Sequence, residues 1–347
     1  MKITVSKKDS ETAFDTEDGE KILYAGLRQG LALPHECGTG TCGSCKATLK
    51  SGQLHSLWNE APGAKNCKAG RNEFLMCQST ALADCEISFR GSLEQKRKTK
   101  FLPDYYKGKI TGTKMLTKNV LGFKVLFDRV LPFSPGQFVV MSVDGLEGGR
   151  AYSMVNNGAH SDELEFVVKH APGGGFSRWV FDEPREDAEV SVFGPLGCAT
   201  LDLDENRDLL CITGGSGIAG IVSLLTQAVH NNYFDNNRGH LFFGIRTYQD
   251  LFFHNRLVGL CKQSNGNLKV SFAFSDGSVP KKCAEKLEGV EYLEGKITPL
   301  AMQQLGSSVE NPIVFLAGPP PMVDDAIRRL VMDAGFSVDD IRYDKFG

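Results

Sequence analysis

Leu33–Leu49 reads LPHECGTGTCGSCKATL and holds three cysteines and three glycines in the nine residues from Cys37 to Cys45. The thiols follow C-x4-C-x2-C spacing, and a fourth, Cys77 in FLMCQS, is separated from Cys45 by 31 residues. Four thiolates aimed at one inorganic core need a chain that curls tightly around it. Gly38, Gly40 and Gly43 supply the positive φ and close backbone approach for such a curl, and the amides it frees can turn towards the sulfurs. The spacing is that of a [2Fe–2S] site, with Cys37, Cys42, Cys45 and Cys77 as expected ligands. A zinc site more often pairs two short C-x2–4-C knuckles, and only one is present. A Rieske centre would replace two of the cysteines by histidines, and His35 has no second C-x2-H partner.

The remaining six cysteines are scattered singly, and Cys211 in DLLCITGG reads as a small apolar strand residue, so no disulfide framework is expected. At 347 residues the chain exceeds one ordinary core, and two or three domains are expected. A hydrophobic content of 41% and a net charge of −3 are ordinary for a globular protein, and no basic domain or motif points to nucleic acid. The start, MKITVSKKDSETAF, is charged and alternating, without the apolar core of a secretory signal. The longest apolar tract, Ile218–Val229, is interrupted by Ser223, Thr226 and Gln227 and is too short to cross a bilayer. A cytoplasmic protein without membrane insertion is expected, and nothing demands more than a monomer.

After GSLEQ comes the run KRKTK (Lys96–Lys100), followed by Pro103, which reads as a solvated linker rather than a docking patch. Six short alternating runs follow: YKGKITGTKML, GFKVLFD, GQFVVMSV, RAYSMVNN, ELEFVVKH and AEVSVFG. They predict a small antiparallel β-barrel. From about residue 206 the texture turns to strands alternating with helices, as in LLCITGG, IAGIVSLLTQAV, GHLFFGI and NPIVFLAG, which predicts a parallel-sheet α/β layer.

A strand and two glycine-rich loops in these regions suit phosphates. In Arg150-Ala-Tyr152-Ser153, alternation puts Arg150 and Tyr152 on one face, a guanidinium fork beside a flat ring. Taken alone, these residues are as readily an exposed Arg and a half-buried Tyr. In VVKHAPGGGFSRWV, Gly173 and Gly174 enter a helix that starts near Ser177, either a phosphate cradle or a flexible hairpin loop. In Thr213-Gly214-Gly215-Ser216-Gly217-Ile218-Ala219-Gly220, a G-x-G-x-x-G pattern joins an apolar strand to an apolar helix. A second strand-to-helix loop, Ala317-Gly318-Pro319-Pro320-Pro321-Met322, supports a nucleotide reading over a bare tight turn.

These motifs carry a resemblance over nearly the whole chain. Residues 1 to about 92 resemble a plant-type ferredoxin of β-grasp fold: KITVSK and ETAFDTE as a hairpin, LYAGLRQG as a helix, the cysteine loop, and NEFLMCQSTALADCEISF as the closing stretch. The later motifs resemble the RxYS, GGxxS, GGxGIA and GPPPM segments of the ferredoxin–NADP reductase superfamily. The resemblance implies that Arg150, Tyr152, Ser153, Val168, Lys169, Gly173, Gly174 and Ser177 hold FAD. Phe346 of IRYDKFG would contact the flavin, with Ser153 near N5, so Ser153, Tyr152 and Phe346 would stand at the reacting ring. It also implies that Thr213, Gly214, Gly215, Gly217, Ile218, Arg246, Asp250, Gly318, Pro319, Pro320 and Met322 hold NAD(P)H. Three positions depart from the pattern: Gly38 where a basic or larger residue is common, Gly220 where proline is usual, and Ala317 where a cysteine is usual.

The expected fold class is therefore multidomain: an α+β β-grasp ferredoxin (1–92), a linker (93–103), an antiparallel six-stranded β-barrel for FAD (104–204), and a Rossmann-like α/β parallel-sheet domain for NAD(P)H (205–347). That order resembles the reductase component of a bacterial Rieske dioxygenase or multicomponent monooxygenase. It implies hydride passing from NADH to FAD, then single electrons through the [2Fe–2S] cluster to an oxygenase component or its intermediate ferredoxin, with hydroxylation of an aromatic compound as the end. NADPH stays open, because Arg246 suits a 2′-phosphate, although GIRTYQDLFF resembles NADH-using reductases. Two other functions stay open: electron supply to a dehydrase of deoxysugar biosynthesis, and a non-catalytic carrier with regulatory nucleotide binding.

Overall fold

The computed structural model describes residues 1–7, 10–91, 100–157, 161–284, 287–306 and 308–345. The N-terminal part holds β1 (Lys2–Lys7), β2 (Ser10–Asp15), α1 (Ile22–Arg28), β3 (Lys46–Ser51), β4 (Leu54–Ser56), β5 (Glu73–Leu75), β6 (Ser79–Ala81) and β7 (Cys85–Ser88). Five of these strands form a mixed sheet in the order β2-β1-β7-β3-β5, with β1 antiparallel to β2 and parallel to β7. Alternation drives Ile3, Val5 and Ile87 onto the face that α1 covers with Ile22, Leu23 and Leu27, all of them fully buried. The cysteine loop lies between α1 and β3 along the chain.

The six barrel runs all form strands: β8 (Asp104–Thr117), β9 (Val120–Phe127), β10 (Phe138–Ser142), β11 (Arg150–Ser153), β12 (Glu163–Lys169) and β13 (Glu189–Leu196), with α2 (Gly175–Asp182) between the last two. Their order is β11-β10-β13-β8-β9-β12, a near-closed antiparallel barrel. In β8 the residues from Tyr105 to Ile110 alternate strictly between exposed and buried, the period-two pattern of a sheet with one face in a core.

The C-terminal part holds β14 (Leu209–Gly214), α3 (Ile218–His230), β15 (Gly239–Ile245), α4 (His254–Gln263), β16 (Leu268–Phe274), β17 (Val290–Glu294), α5 (Ile297–Gln303), β18 (Ile313–Gly318), α6 (Pro320–Met332) and β19 (Ile341–Lys345). Its six strands lie parallel in the order β17-β16-β15-β14-β18-β19. Leu209 and Cys211 face α3 and α4, whereas Leu210 and Ile212 face α5 and α6. With helices on both sides, β14 and β18 are buried along their whole length and read as continuous apolar runs. The expected fold class is the observed one.

The sequence reading did not foresee α4, α5, β17 or β19. In the sequence IRYDKFG stands out only for Phe346, yet Ile341–Lys345 pairs with β18 as a strand, and Arg342 reaches Thr200 O at 2.7 Å and Glu205 at 2.5 Å. Contacts divide the chain into two units. One joins Met1–Tyr106 with Val139–Ala151 and Ser191–Leu196; the other comprises Lys107–Phe138, Tyr152–Val190 and Gly197–Gly347. Among the described residues no helix is long and apolar enough to cross a membrane.

Candidate functional site

The four cysteines come together as two pairs: Cys37 Sγ lies 3.2 Å from Cys42 Sγ, and Cys45 Sγ lies 3.1 Å from Cys77 Sγ. The thiols thus stand as two pairs rather than as one cluster of four. Gly38, Gly40 and Gly43 have φ of 67°, 87° and 82°, the left-handed curl the sequence called for. That curl turns amides inward: Thr39 N and Cys42 N each donate to Cys37 Sγ at 3.4 Å, and Ser44 N donates to Cys42 Sγ at 3.4 Å. The hydrogen bond from Cys42 pulls the Cys37 thiol down to about 5 against its burial, with help from the Thr39 and Cys42 amides. Cys77 is lowered in the same way, by Cys45 first and by the Lys21 ammonium as well.

Beside the loop, Gln78 Nε2 is buried without a hydrogen-bond partner among the described residues. A Cβ on Gly40 would stand 3.1 Å from it. An unspent N–H beside the cysteine loop, together with two thiol pairs, fits an inorganic core that brings its own acceptors, so the residues present suit a two-iron, two-sulfide group.

α1 and two barrel strands grip the same loop. Tyr24 Oη donates to Gly38 O at 2.9 Å, and its ring stacks on Phe193 of β13 at 4.1 Å between centroids and 4° between planes. A Cβ on Gly38 would stand 3.5 Å from both Val140 and Leu196. That is ordinary van der Waals contact, so at Gly38 the cost of another residue comes from its φ of 67° rather than from a clash at Cβ. The departure at Gly38 thus has a structural counterpart.

In the barrel, Arg150 Nη1 donates to Gly149 O at 3.0 Å, and its guanidinium lies over the Trp58 ring at 5.9 Å. Trp58 was not singled out in the sequence, because a half-buried Trp in a loop carries no motif. Tyr152 packs against Phe176 at 5.1 Å, which brings the RAYS strand and the glycine-rich turn together. Gly173 and Gly175 open onto free space. Ser177 instead turns back on its own loop, where its Oγ bonds Ala171 N at 3.2 Å and Ala171 O at 3.3 Å. Ser153 is buried, and a Cβ on Gly220 at the start of α3 would stand 3.4 Å from it. Val168 points its side chain into the core. Phe346 lies outside the described residues.

Gly214, Gly215, Pro319 and Met322 border a cleft of about 650 Å³ at the carboxyl ends of the parallel strands, together with Arg246 and Asp250. It lies where the strand order reverses, since β15 and β18 flank β14 on opposite sides. The two glycine-rich loops are bolted to each other. Thr213 Oγ1 donates to Ala317 O at 2.8 Å, and a Cβ on Gly217 would stand 2.6 Å from Gly318 N. Gly215, at φ 55°, has nothing within 4 Å of where a Cβ would go, so its backbone faces open cleft. Lys169, expected with the flavin residues, borders this cleft instead, as does Lys296. Asp250 is partly committed: its carboxylate accepts from Thr247 N at 3.0 Å and Thr247 Oγ1 at 2.8 Å, capping the turn after β15. Arg246 is exposed at the same edge.

Three family models match the chain in order. A 2Fe-2S iron-sulfur cluster binding domain covers residues 5–82, an oxidoreductase FAD-binding domain 107–201, and an oxidoreductase NAD-binding domain 211–328. The chain is thus an oxidoreductase that joins an iron–sulfur domain to flavin- and nicotinamide-binding domains. It is 30% identical over 341 residues to the ferredoxin–NAD(+) reductase component of an alkene monooxygenase system from Xanthobacter autotrophicus, covering 96% of this chain and 98% of that one. It is 30% identical to a xylene/toluene monooxygenase electron transfer component from Pseudomonas putida, covering 94% of this chain and 89% of the relative. The solved ferredoxin reductase of carbazole 1,9a-dioxygenase superposes with a TM-score of 0.82 at 27% identity, covering 100% and 99% of the two chains. The chain belongs to the family of ferredoxin–NAD(P) reductase components of oxygenase systems.

Proposed function

We propose that this chain draws electrons from NADH and delivers them one at a time to an oxygenase component, or to that component's intermediate ferredoxin, in the hydroxylation of an aromatic compound. We divide the work at 1–92 for the cluster, 104–204 for FAD and 205–347 for the nicotinamide nucleotide, with 93–103 as a linker. The carrying observation is the two-plus-two arrangement of thiols with the unspent Gln78 amide beside it. The names of the relatives favour an oxygenase as acceptor over a deoxysugar dehydrase, and the glycine loops on an open cleft speak against a merely regulatory nucleotide.

When bound, the flavin supplies the exchange between two-electron and one-electron chemistry that a nicotinamide and an iron–sulfur cluster cannot make directly. The chain's own residues do the rest. In this reading Cys37 and Cys42 hold one iron, and Cys45 and Cys77 hold the other. Arg150 offers its guanidinium to a pyrophosphate, the Gly173–Gly175 backbone gives a second phosphate contact, and Tyr152 and Ser153 face the flavin ring. Phe346 is assigned beside them. The backbone at Gly214, Gly215, Gly217 and Ile218, and the turn Gly318-Pro319-Pro320 with Met322, take the nicotinamide nucleotide, and Arg246 and Asp250 border its ribose.

NADH is favoured by the alkene monooxygenase relative, a ferredoxin–NAD(+) reductase component. Exposed Arg246 favours NADPH as a second reading. An anaerobic titration with each nucleotide, followed by absorbance and EPR, tests both. The expected result is flavin bleaching and a reduced-cluster signal with NADH at concentrations about tenfold or more below those needed for NADPH. Flavin bleaching with no cluster signal would sink the proposed sequence of carriers.

A further inference from the structure

Residues 62–72, PGAKNCKAGRN, fold as two short 3-10 turns, Pro62–Asn66 and Ala69–Arg71, against the cysteine loop. The contact runs backbone to backbone. Gly63 N donates to Gly40 O at 2.8 Å, and a Cβ on Gly63 would stand 2.7 Å from Gly43 N. The Asn66 amide closes over Gly43 in the same way, 2.6 Å from where a Cβ there would go. Whatever this segment shows to solvent therefore lies beside the thiol pair of Cys37 and Cys42.

What it shows is positive. In these eleven residues Lys65, Lys68 and Arg71 are all exposed, and there is no Asp or Glu, although the whole chain carries a net charge of −3. The carboxylate that follows, Glu73, is already used: it holds Lys46 Nζ at 3.1 Å and accepts from Lys68 N at 2.9 Å. Lys65, Lys68 and Arg71 form no ion pair among the described residues. The other exposed positions are uncharged: Pro62, Ala69 and Gly70 are small or flat, and Asn66 and Asn72 are neutral amides.

We propose that the strip from Pro62 to Arg71 is the landing surface for an electron-accepting protein that presents an acidic face. The inference rests on the reading that electrons leave through a cluster held by Cys37, Cys42, Cys45 and Cys77. Complementary charge raises encounter rates and fixes orientation more than it adds to the lifetime of the complex, which suits a partner that must dock, take one electron and leave. Such steering is screened over about 8 Å at physiological salt.

The test uses the full holo chain and two protein probes, an acidic rubredoxin and a basic cytochrome c, with a neutral benzoquinone as small acceptor. For the unaltered chain, raising salt from about 20 to 300 mM is expected to raise KM for rubredoxin about tenfold and to lower or leave that for cytochrome c. In the triple variant K65E/K68E/R71E the preference should reverse, while benzoquinone reduction stays at its original rate. Fluorescence anisotropy of labelled rubredoxin gives a readout without turnover and should show the same roughly tenfold loss of affinity. Equal responses of the two proteins to salt in the unaltered chain would overturn the proposal without any substitution. Binding to phosphatidylglycerol vesicles with no discrimination between the proteins would also overturn it, assigning the strip to a membrane surface. An unaltered chain that gives no cluster EPR signal with NADH would show that the underlying reading has failed, and this inference would fall with it.

Discussion

The cysteine loop and the paired glycine loops of the parallel sheet solve different problems with the same residue. In the cysteine loop, glycines bend the backbone so that side chains do the chemistry: four thiols converge in pairs and amides point at sulfur. In the sheet loops the backbone itself is the working surface. Gly217 is pressed against Gly318 N, and Gly215 faces open cleft. A site made of side chains fails when an atom is exchanged, whereas a site made of backbone fails when an atom is added. The first kind should therefore break cleanly and the second should break by degrees.

The largest expected effect is on the side-chain site. Cys42→Ser keeps the shape of the loop but replaces a thiolate donor by a poorly acidic hydroxyl. The variant is expected to lose reduction of a protein acceptor by about a hundredfold or more, while NADH oxidation with an artificial acceptor persists. Parallel assays with the two acceptors, with bound FAD measured, check it. Loss of both activities with FAD retained would mean that electrons do not travel in the assumed order.

Next come the backbone loops, where two glycines on either side of Ser216 should behave differently. Gly217→Ala forces a methyl into the 2.6 Å approach to Gly318 N and onto Ala317 C and O, backbone atoms that cannot swing aside as a side chain can. A cost of about 2–4 kcal/mol in stability is expected, read as a fall in Tm, together with weaker nucleotide binding. Gly215→Ala meets no atom and costs only about 1–2 kcal/mol for its φ of 55°. Its methyl would enter the cleft, so KM for NADH should rise by more than the Tm change explains. Equal stability losses at the two positions would remove the distinction between a glycine packed against the facing loop and one open to the cleft.

This contrast also explains what the sequence could reveal. The cysteine spacing was legible by itself, because side-chain chemistry fixes which residue types can occur and how far apart they stand. The glycine loops were legible only through the apolar strand before them and the apolar helix after them. Ser177 shows the limit: the GGxxS pattern was visible, but the bonds of its hydroxyl to Ala171 depend on how the loop closes. Elements half exposed at a sheet edge, such as VEYLE and IRYDK, have neither a strong period nor flanking turn signals, and their pairing is set by the neighbouring strand. Trp58 beside Arg150 and Tyr24 on Phe193 are contacts between segments far apart in the chain, and no local pattern records them.

The Tyr24 contact allows a finer test of the side-chain site. Tyr24→Phe keeps the stack on Phe193 and removes only the hydrogen bond to Gly38 O. Leaving that buried carbonyl without its donor should cost about 1–2 kcal/mol. Because Gly38 follows Cys37, the cluster is expected to be lost faster on heating, seen as visible absorbance bleaching ahead of global unfolding. If the two transitions still coincide, the tyrosine only packs the interior of its unit.

The smallest expected effect concerns charge near the second thiol pair. The thiolates of Cys77 and Cys45 push the Lys21 ammonium up in pKa, against a larger downward push from burial. The field is mutual, so Lys21 must stabilise negative charge on that pair, and a reduced cluster carries one more negative charge than an oxidised one. Lys21→Met should therefore lower the cluster midpoint potential by roughly 20–60 mV, the scale of about 1 kcal/mol for a one-electron couple. Lys46→Met is the control, since that ammonium is already held by Glu73 at 3.1 Å and by Asn66 O at 2.9 Å. EPR-monitored redox titration separates the two variants. An equal shift in both would mean that the cluster senses the total charge of its domain rather than the placement of one lysine.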